Sequence, residues 1–231
     1  MSFFRRIASK LSFGNTLYYP GCLTKFVLPE IESNYKEILN KLGVDFIVIK
    51  DEFCCGSPAL KAGYKGDFED LRKKNLEIFK KYGVKKIVCN CPTCAYMFRK
   101  YYGIDAEHIT RIIARSKKIN NYDIEYNEEV SYHDPCHLGR YLKIYNEPRS
   151  ILKKLKFKIK EMKNNRENSL CCGGGGGLKS NYPEMADKIA KQRLKQCKTE
   201  KLITTCPMCY INLKDNADKK VKVIELSEVL L

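Results

Sequence analysis

No stretch of this sequence approaches the roughly 20 consecutive apolar residues that a transmembrane helix needs, because charged residues interrupt every strand-sized apolar run. The N-terminus has arginines and phenylalanines but no long apolar core and no small-residue cleavage site, so it does not read as a secretory signal. These absences predict a soluble chain that stays in the cytoplasm. Acidic residues are also in short supply, 27 against 43 Lys and Arg, which leaves a formal charge of +16. Such an excess is found in proteins that bind nucleic acid. Here, however, the lysines are scattered (Lys73, Lys74, Lys80, Lys81, Lys85, Lys86, then Lys153, Lys154, Lys156, Lys158, Lys160), as on a solvated face. The count also treats every cysteine as neutral, so nucleic acid is not expected as a partner. There are three histidines.

Cysteine is the residue in excess. A reducing compartment does not keep a set of structural disulfides, so twelve cysteines point to metal or redox chemistry. Their spacing repeats. Leu17-Tyr18-Tyr19-Pro20-Gly21-Cys22 and Ser131-Tyr132-His133-Asp134-Pro135-Cys136 each deliver one cysteine from a β-prone run. Cys54-Cys55-Gly56 answers to Cys171-Cys172-Gly173, and Cys91-Pro92-Thr93-Cys94 answers to Cys206-Pro207-Met208-Cys209. The three landmarks recur at offsets of 114, 117 and 115 residues, the mark of a tandem duplication. The predicted organisation is a basic amphipathic segment over 1–14, a first repeat over 15–118, a polar linker over 119–128 and a second repeat over 129–231. In the N-terminal segment Phe3, Phe4, Ile7 and Leu11 share one helical face, suited to a partner, a membrane surface or the chain's own domain.

The fold class expected is α/β, two pseudo-symmetric halves with short, mostly parallel sheets. Each half reads as β-α-β, Cys-Cys, α-β, Cys-Pro-x-Cys, α. Helical periodicity covers Glu30 to Leu42, Phe68 to Tyr82 and Pro183 to Gln196, while Phe46 to Ile49, Lys85 to Cys89 and Leu202 to Thr205 are short β-branched runs. In parallel layers the loops after the strands gather on one side, where ligands bind. All three cysteine landmarks follow predicted strands.

The candidate ligands are therefore Cys22, Cys54, Cys55, Cys91 and Cys94 in one half and Cys136, Cys171, Cys172, Cys206 and Cys209 in the other. Soft thiolates select iron–sulfur clusters, zinc or copper(I), and no histidine occupies a repeated position to make a mixed site. Structural zinc and an ordinary cubane each take four ligands, one fewer than each half supplies. Adjacent thiolates suit adjacent irons better than two corners of one tetrahedron, and a spare thiolate could bridge an opened cluster. Zinc with one bystander cysteine is the alternative. Cys89 and Cys197 have no repeated counterpart and read as small buried residues or free thiols.

With its motifs in place, the chain resembles the cysteine-rich CCG-domain proteins of anaerobic electron transfer. Cys54-Cys55-Gly56-Ser57-Pro58-Ala59-Leu60-Lys61-Ala62-Gly63 and His133-Asp134-Pro135-Cys136-His137-Leu138-Gly139-Arg140 are closest to the D-type subunit of heterodisulfide reductase. The resemblance continues through Tyr145 to Arg149, Asn168 to Gly176 and Cys206 to Cys209. It implies two non-cubane [4Fe-4S] clusters on the ten cysteines, with an anionic disulfide such as coenzyme M–coenzyme B heterodisulfide cleaved or formed between them by two one-electron steps. No catalytic side chain follows from it, because the clusters carry the chemistry. The D-type relatives also carry a ferredoxin-like region, and this chain has no Cys-x-x-Cys-x-x-Cys-x-x-x-Cys run. A ferredoxin-like or flavin-containing donor subunit is therefore expected, with a membrane cytochrome subunit as a further partner holding the chain at the membrane periphery. Relatives in lactate, glycolate or glycerol-phosphate dehydrogenase complexes supply the alternative, a non-catalytic electron-transfer subunit.

Several residues beyond the cysteines have two readings. Gly173 to Gly177 allow close backbone approach to a cluster or form a flexible loop. His133 and His137 flank Cys136, as proton donors or as partners in structural hydrogen bonds, the second being the expectation for His133. Arg140 and Lys143 could meet an anionic substrate or simply face solvent.

Overall fold

The computed structural model describes residues 14–121 and 124–231. The amphipathic segment expected over Ser2 to Phe13 lies outside the described residues, as does a part of the expected linker. In chain order the main elements are β1 (Asn15–Tyr19), α1 (Cys22–Val27), α2 (Pro29–Lys41), α3 (Ser57–Lys61), α4 (Lys65–Lys81), β2 (Val84–Cys89), α5 (Pro92–Met97), β3 (Asp105–His108) and α6 (Ile109–Arg115). The second half continues with β4 (Glu129–Tyr132), α7 (Asn146–Lys154), β5 (Lys158–Ile159), α8 (Leu178–Asn181), α9 (Pro183–Leu194), β6 (Lys201–Thr204), α10 (Pro207–Asn216) and β7 (Lys222–Glu225).

Two sheets form, in the orders β1-β2-β3 and β5-β4-β6-β7, and every described ladder is parallel. Parallel strands need crossover connections, and the helices between them provide these. The run Phe46 to Ile49, expected as a strand, is reduced to one bridge, Ile47 to Leu17, with Tyr18 N donating to Ile47 O at 2.9 Å and Ile47 N to Thr16 O at 2.9 Å. Its counterpart β5 has two residues, so both are minimal edge strands. β3 and β7 were not anticipated. β3 reads Asp-Ala-Glu-His, and tertiary pairing beside β2 overrides its low intrinsic strand preference.

The strands alternate faces with period two, and the alternation divides the interior. Tyr18, Val88, Val130, Tyr132, Ile203 and Ile224 point into one apolar cluster that also takes Ile31, Tyr35, Ile38 and Leu39 of α2 and Ile151 and Leu152 of α7. This core belongs to both halves. Leu17, Tyr19, Ile87 and Cys89 point the other way into a cluster confined mostly to the first half, and Leu202 joins one in the second. The four core residues of α2 follow the i, i+4, i+7, i+8 pattern of a single helical stripe. Pro29 at its start and Glu30 and Glu32 in its first turn suit the positive helix N-terminus. Tyr35 Oη donates to Glu225 Oε1 at 2.6 Å across the interface between the halves.

Candidate metal centres

Each half presents its thiols at the carboxyl ends of its strands. Cys22 opens α1 after β1, Cys91 caps α5 after β2 and Cys94 sits in that helix's first turn. In the second half Cys206 caps α10 after β6, with Cys209 one turn in. The proline after each capping cysteine fits the first helical turn, where its missing N–H is no loss.

Five thiols gather in each half, each close enough to a neighbour to perturb its ionisation. Cys22 Sγ lies 4.0 Å from Cys54 Sγ; Cys54 contacts Cys55, Cys55 contacts Cys94, and Cys94 contacts Cys91. In the second half the order repeats as Cys136, Cys171, Cys172, Cys209, Cys206. None of the cysteines forms a disulfide. Cys22 and Cys171 are exposed while Cys55, Cys94, Cys172 and Cys209 are buried, so each set has an open side and a closed one. Cys89 instead lies in the apolar core, and Cys197 Sγ donates to Thr199 O at 3.2 Å. Neither joins a set.

Backbone amides serve both vicinal pairs alike. Gly173 N donates to Cys171 Sγ at 3.3 Å and Gly174 N to Cys172 Sγ at 3.4 Å; the Gly56 and Ser57 amides favour the thiolates of Cys54 and Cys55 in the same way. Glycine is sterically required at several places around the thiols, Gly56 (φ +77°, Phe68 Cδ2 2.6 Å from a Cβ) among them. At Gly21 (φ +83°) a Cβ would stand 3.1 Å from Cys94 Sγ, and at Gly173 (φ +84°) it would meet Ala186 O at 2.5 Å. Gly174 is also tight, with Met208 and Asn212 side-chain atoms 3.0 Å from a Cβ, whereas Gly175 faces open space. The glycine run is thus a close approach at its start and an open loop at its middle.

Crowding polarises the thiols. Hydrogen bonds from Cys54 and Cys94 hold Cys55 down to about 5, and those from Cys136 and Cys172 hold Cys171 well below the usual thiol range. Their donors go the other way: contact with Cys171 pushes Cys136 far up and Cys172 up to about 12. Five neighbouring thiolates repel one another, so all can ionise together only around cations. The donor set fits a soft group with several metal atoms.

Around the second set the histidines take distinct roles. His133 is fully buried and its Nδ1 accepts from Arg193 Nε at 3.0 Å. Burial, with Arg193 beside it, lowers its pKa to about 3, so the ring is neutral. Its Nε2 has no partner, and a ring nitrogen lies within 4.8 Å of the Cys172 and Cys209 sulfurs. His137 links the halves, with Nε2 2.8 Å from Lys61 Nζ and Nδ1 3.4 Å from Cys136 Sγ. The ammonium can only donate, so Nδ1 carries the proton toward the sulfur. His137 stacks on Tyr141 at 4.7 Å and meets Tyr96 of the first half edge-on at 6.1 Å. Arg140 is exposed, and its Nη1 donates to Ser169 O at 2.9 Å, bracing the loop before Cys171.

The motif residues around Cys136 have a structural reason. Asp134 takes a two-pronged bond from Arg149 at 2.7 and 2.9 Å, plus one from Arg166 N at 2.8 Å, and fixes the loop that carries the cysteine. Asn75 and Asn212, buried on α4 and α10, donate to Cys54 O at 3.0 Å and to Cys172 O at 2.7 Å. These two and Arg193 escaped the sequence reading. The available signal was a polar residue on the apolar stripe of a helix, as Arg193 is beside Ala186, Ala190 and Leu194.

Two parallel α/β layers sharing a core, each with a set of five free thiols at its strand ends, define a duplicated soft-metal protein. The cysteine-rich domain family, known as CCG, matches twice, over residues 16–99 and 130–214, and the chain belongs to that family. It is 37% identical over 89% of its length to an uncharacterized iron-sulfur protein of Methanococcus maripaludis, covering 42% of that protein. It is 31% identical over 98% of its length to the D-type subunit of the dihydromethanophenazine:CoB–CoM heterodisulfide reductase of Methanosarcina acetivorans, covering 59% of it. The B-type subunit of a CoM/CoB fumarate reductase of Methanothermobacter marburgensis is 30% identical over 93% of the chain, which covers 45% of it. The chain thus spans about half the length of the curated relatives it matches. Glutamate racemase RacE1 of Bacillus anthracis overlays 93% of the chain and 77% of its own at a TM-score of 0.40 and 13% identity, too distant to bear on function. No described helix is long and apolar enough to cross a membrane.

Proposed function

We propose that the chain is the iron–sulfur subunit of a heterodisulfide reductase-like oxidoreductase, with one non-cubane [4Fe-4S] cluster on each five-cysteine set. The observation that carries this reading is a set of five free thiols in corresponding places in each half, one donor more than zinc or a cubane needs. Cys22, Cys54, Cys55, Cys91 and Cys94 would hold one cluster, and Cys136, Cys171, Cys172, Cys206 and Cys209 the other. We take 15–118 and 129–231 as the repeats, joined through 119–128. When bound, such clusters supply single-electron chemistry and an iron open to a sulfur ligand.

The protein's own residues set the surroundings. Exposed Cys22 and Cys171 mark the sides from which a disulfide reaches each set. His137 keeps its proton on Nδ1, toward Cys136 Sγ, while Lys61 holds Nε2 and places a positive charge near the open side. That charge suits an anionic disulfide. Electrons reach the chain from a ferredoxin-like or flavin-containing subunit, with a membrane cytochrome beyond it.

Anaerobic reconstitution followed by iron, sulfide and EPR analysis tests the reading. About four irons per five-thiol set are expected for this cluster type, and a protein that takes up only zinc refutes it. The likeness to a component of a fumarate reductase favours a second reading, electron transfer without disulfide chemistry. Turnover of disulfides with an artificial electron donor separates the two, because a pure carrier gives none.

A further inference from the structure

Backbone amides follow both vicinal pairs in the same sequence places, so at that level the halves correspond. They diverge on the strand behind. Where the first half has Tyr19, the second has His133. Tyr19 gives its hydroxyl proton to Phe53 O at 2.8 Å and has none left for a sulfur. His133 is different, because its tautomer is dictated by its neighbour. A guanidinium only donates, so the Nδ1 that meets Arg193 Nε at 3.0 Å must present a lone pair. The single ring proton then sits on Nε2.

That Nε2–H is buried without a partner among the described residues. A buried donor left unpaired costs about 1–3 kcal/mol, which an acceptor in the thiol pocket would recover. The ring nitrogens cannot serve as a metal ligand in this state, since one faces Arg193 and the other carries the proton. Arg193 makes the same demand. It is fully buried, and its remaining partners are neutral: Asn164 O at 2.6 Å, Gln196 Oε1 at 2.9 Å and Ser169 Oγ at 3.1 Å. No carboxylate among the described residues bonds this buried cation; Asp134 acts on it from a distance but is paired with Arg149, so further negative charge in the thiol pocket would stabilise it. An anionic cluster answers both demands.

We propose that His133 Nε2–H, locked in that tautomer by Arg193, donates a hydrogen bond to a sulfur of the group held by Cys136, Cys171, Cys172, Cys206 and Cys209, and so makes the second centre easier to reduce than the first. This rests on the iron–sulfur reading above. An N–H donor withdraws charge from a cluster sulfur and favours the reduced state, and the nearby guanidinium acts in the same direction. An electron shared between the two centres therefore rests on the second. His133 is a positioning and tuning residue, not a catalytic one.

The test uses the full reconstituted chain. A redox titration followed by EPR is expected to show two separate waves. His133→Phe should move the higher one to more negative potential and leave the lower in place, while Tyr19→Phe should move neither. Pulsed EPR on wild-type protein with 15N-histidine supplies a measurement free of folding effects, with a weak nitrogen coupling expected at one centre only. Strong coupling, the sign of direct iron ligation, overturns the proposal, as do coupling at neither centre or coincident waves in the wild type. Normal iron content with these outcomes leaves the iron–sulfur reading standing; no iron uptake by the wild type removes both.

Discussion

Replacing Arg149 by Met is expected to cost about 3–5 kcal/mol, the range for removing one partner of a buried ion pair. The side chain of Asp134 is 2% exposed, so after the substitution its carboxylate keeps a single donor, Arg166 N at 2.8 Å. Glu161 also loses its bonds to Arg149, at 2.6 and 2.8 Å. That carboxylate is 37% exposed and rehydrates, so its share is small. Met fills much of the vacated volume, which keeps cavity formation out of the figure. For a chain of this size the loss corresponds to a fall in Tm of about 6–20 °C. Urea unfolding of the metal-free, reduced protein measures it, with Asp134→Asn and the double variant completing a cycle. A cost under about 1 kcal/mol, or a double variant equal to the sum of the singles, refutes the assignment of Asp134 and Arg149 as one coupled unit.

Ile38→Ala, in the core common to both halves, should cost about 2–5 kcal/mol and lower the stability of the two halves together; separate unfolding transitions would contradict a common core. Burial raises Glu225 to about 7 from 4.5, so the folded state holds a proton that the unfolded state loses. Stability from this group is complete below about 4.5 and falls as pH rises to about 7, and Glu225→Gln should flatten that slope in pH-dependent denaturation. Gly173→Ala puts a Cβ against Ala186 O at positive φ, a strain of about 1–3 kcal/mol; iron analysis should find the second set depleted and the first loaded. Stripping the metal should lower Tm, since binding to the folded state alone stabilises it; equal melting of the stripped and loaded protein would count against the centres.

The cysteine landmarks were the most legible feature, because Cys22, the vicinal pair and Cys-Pro-x-Cys recur at near-constant offset, though the strand expected before Cys54 is only a bridge. Parallel layering follows from the same alternation. The sequence was silent on partnership between distant residues. Asp105 to His108 pair as β3 because Lys86 to Cys89 stand beside them, not through their own preference. Asn75 and Asn212 matter through the carbonyls they reach, and Arg193 through the ring it meets; no local spacing encodes those contacts. The repeat pointed to two pseudo-symmetric halves, and period-two alternation in Tyr18 and Tyr132 would have shown which side of each sheet was apolar. Only the packed structure shows that those two sides face each other.

The common interior makes this chain a fused dimer. Tyr18 and Tyr132, Val88 and Ile203, Ile109 and Leu226 occupy matching places in it, the arrangement that two copies of one repeat would bury by self-association. Covalent fusion releases such partners from being identical, and a tyrosine in one and a histidine in the other become compatible. A symmetric assembly of single repeats could never hold two unlike centres; a tandem can.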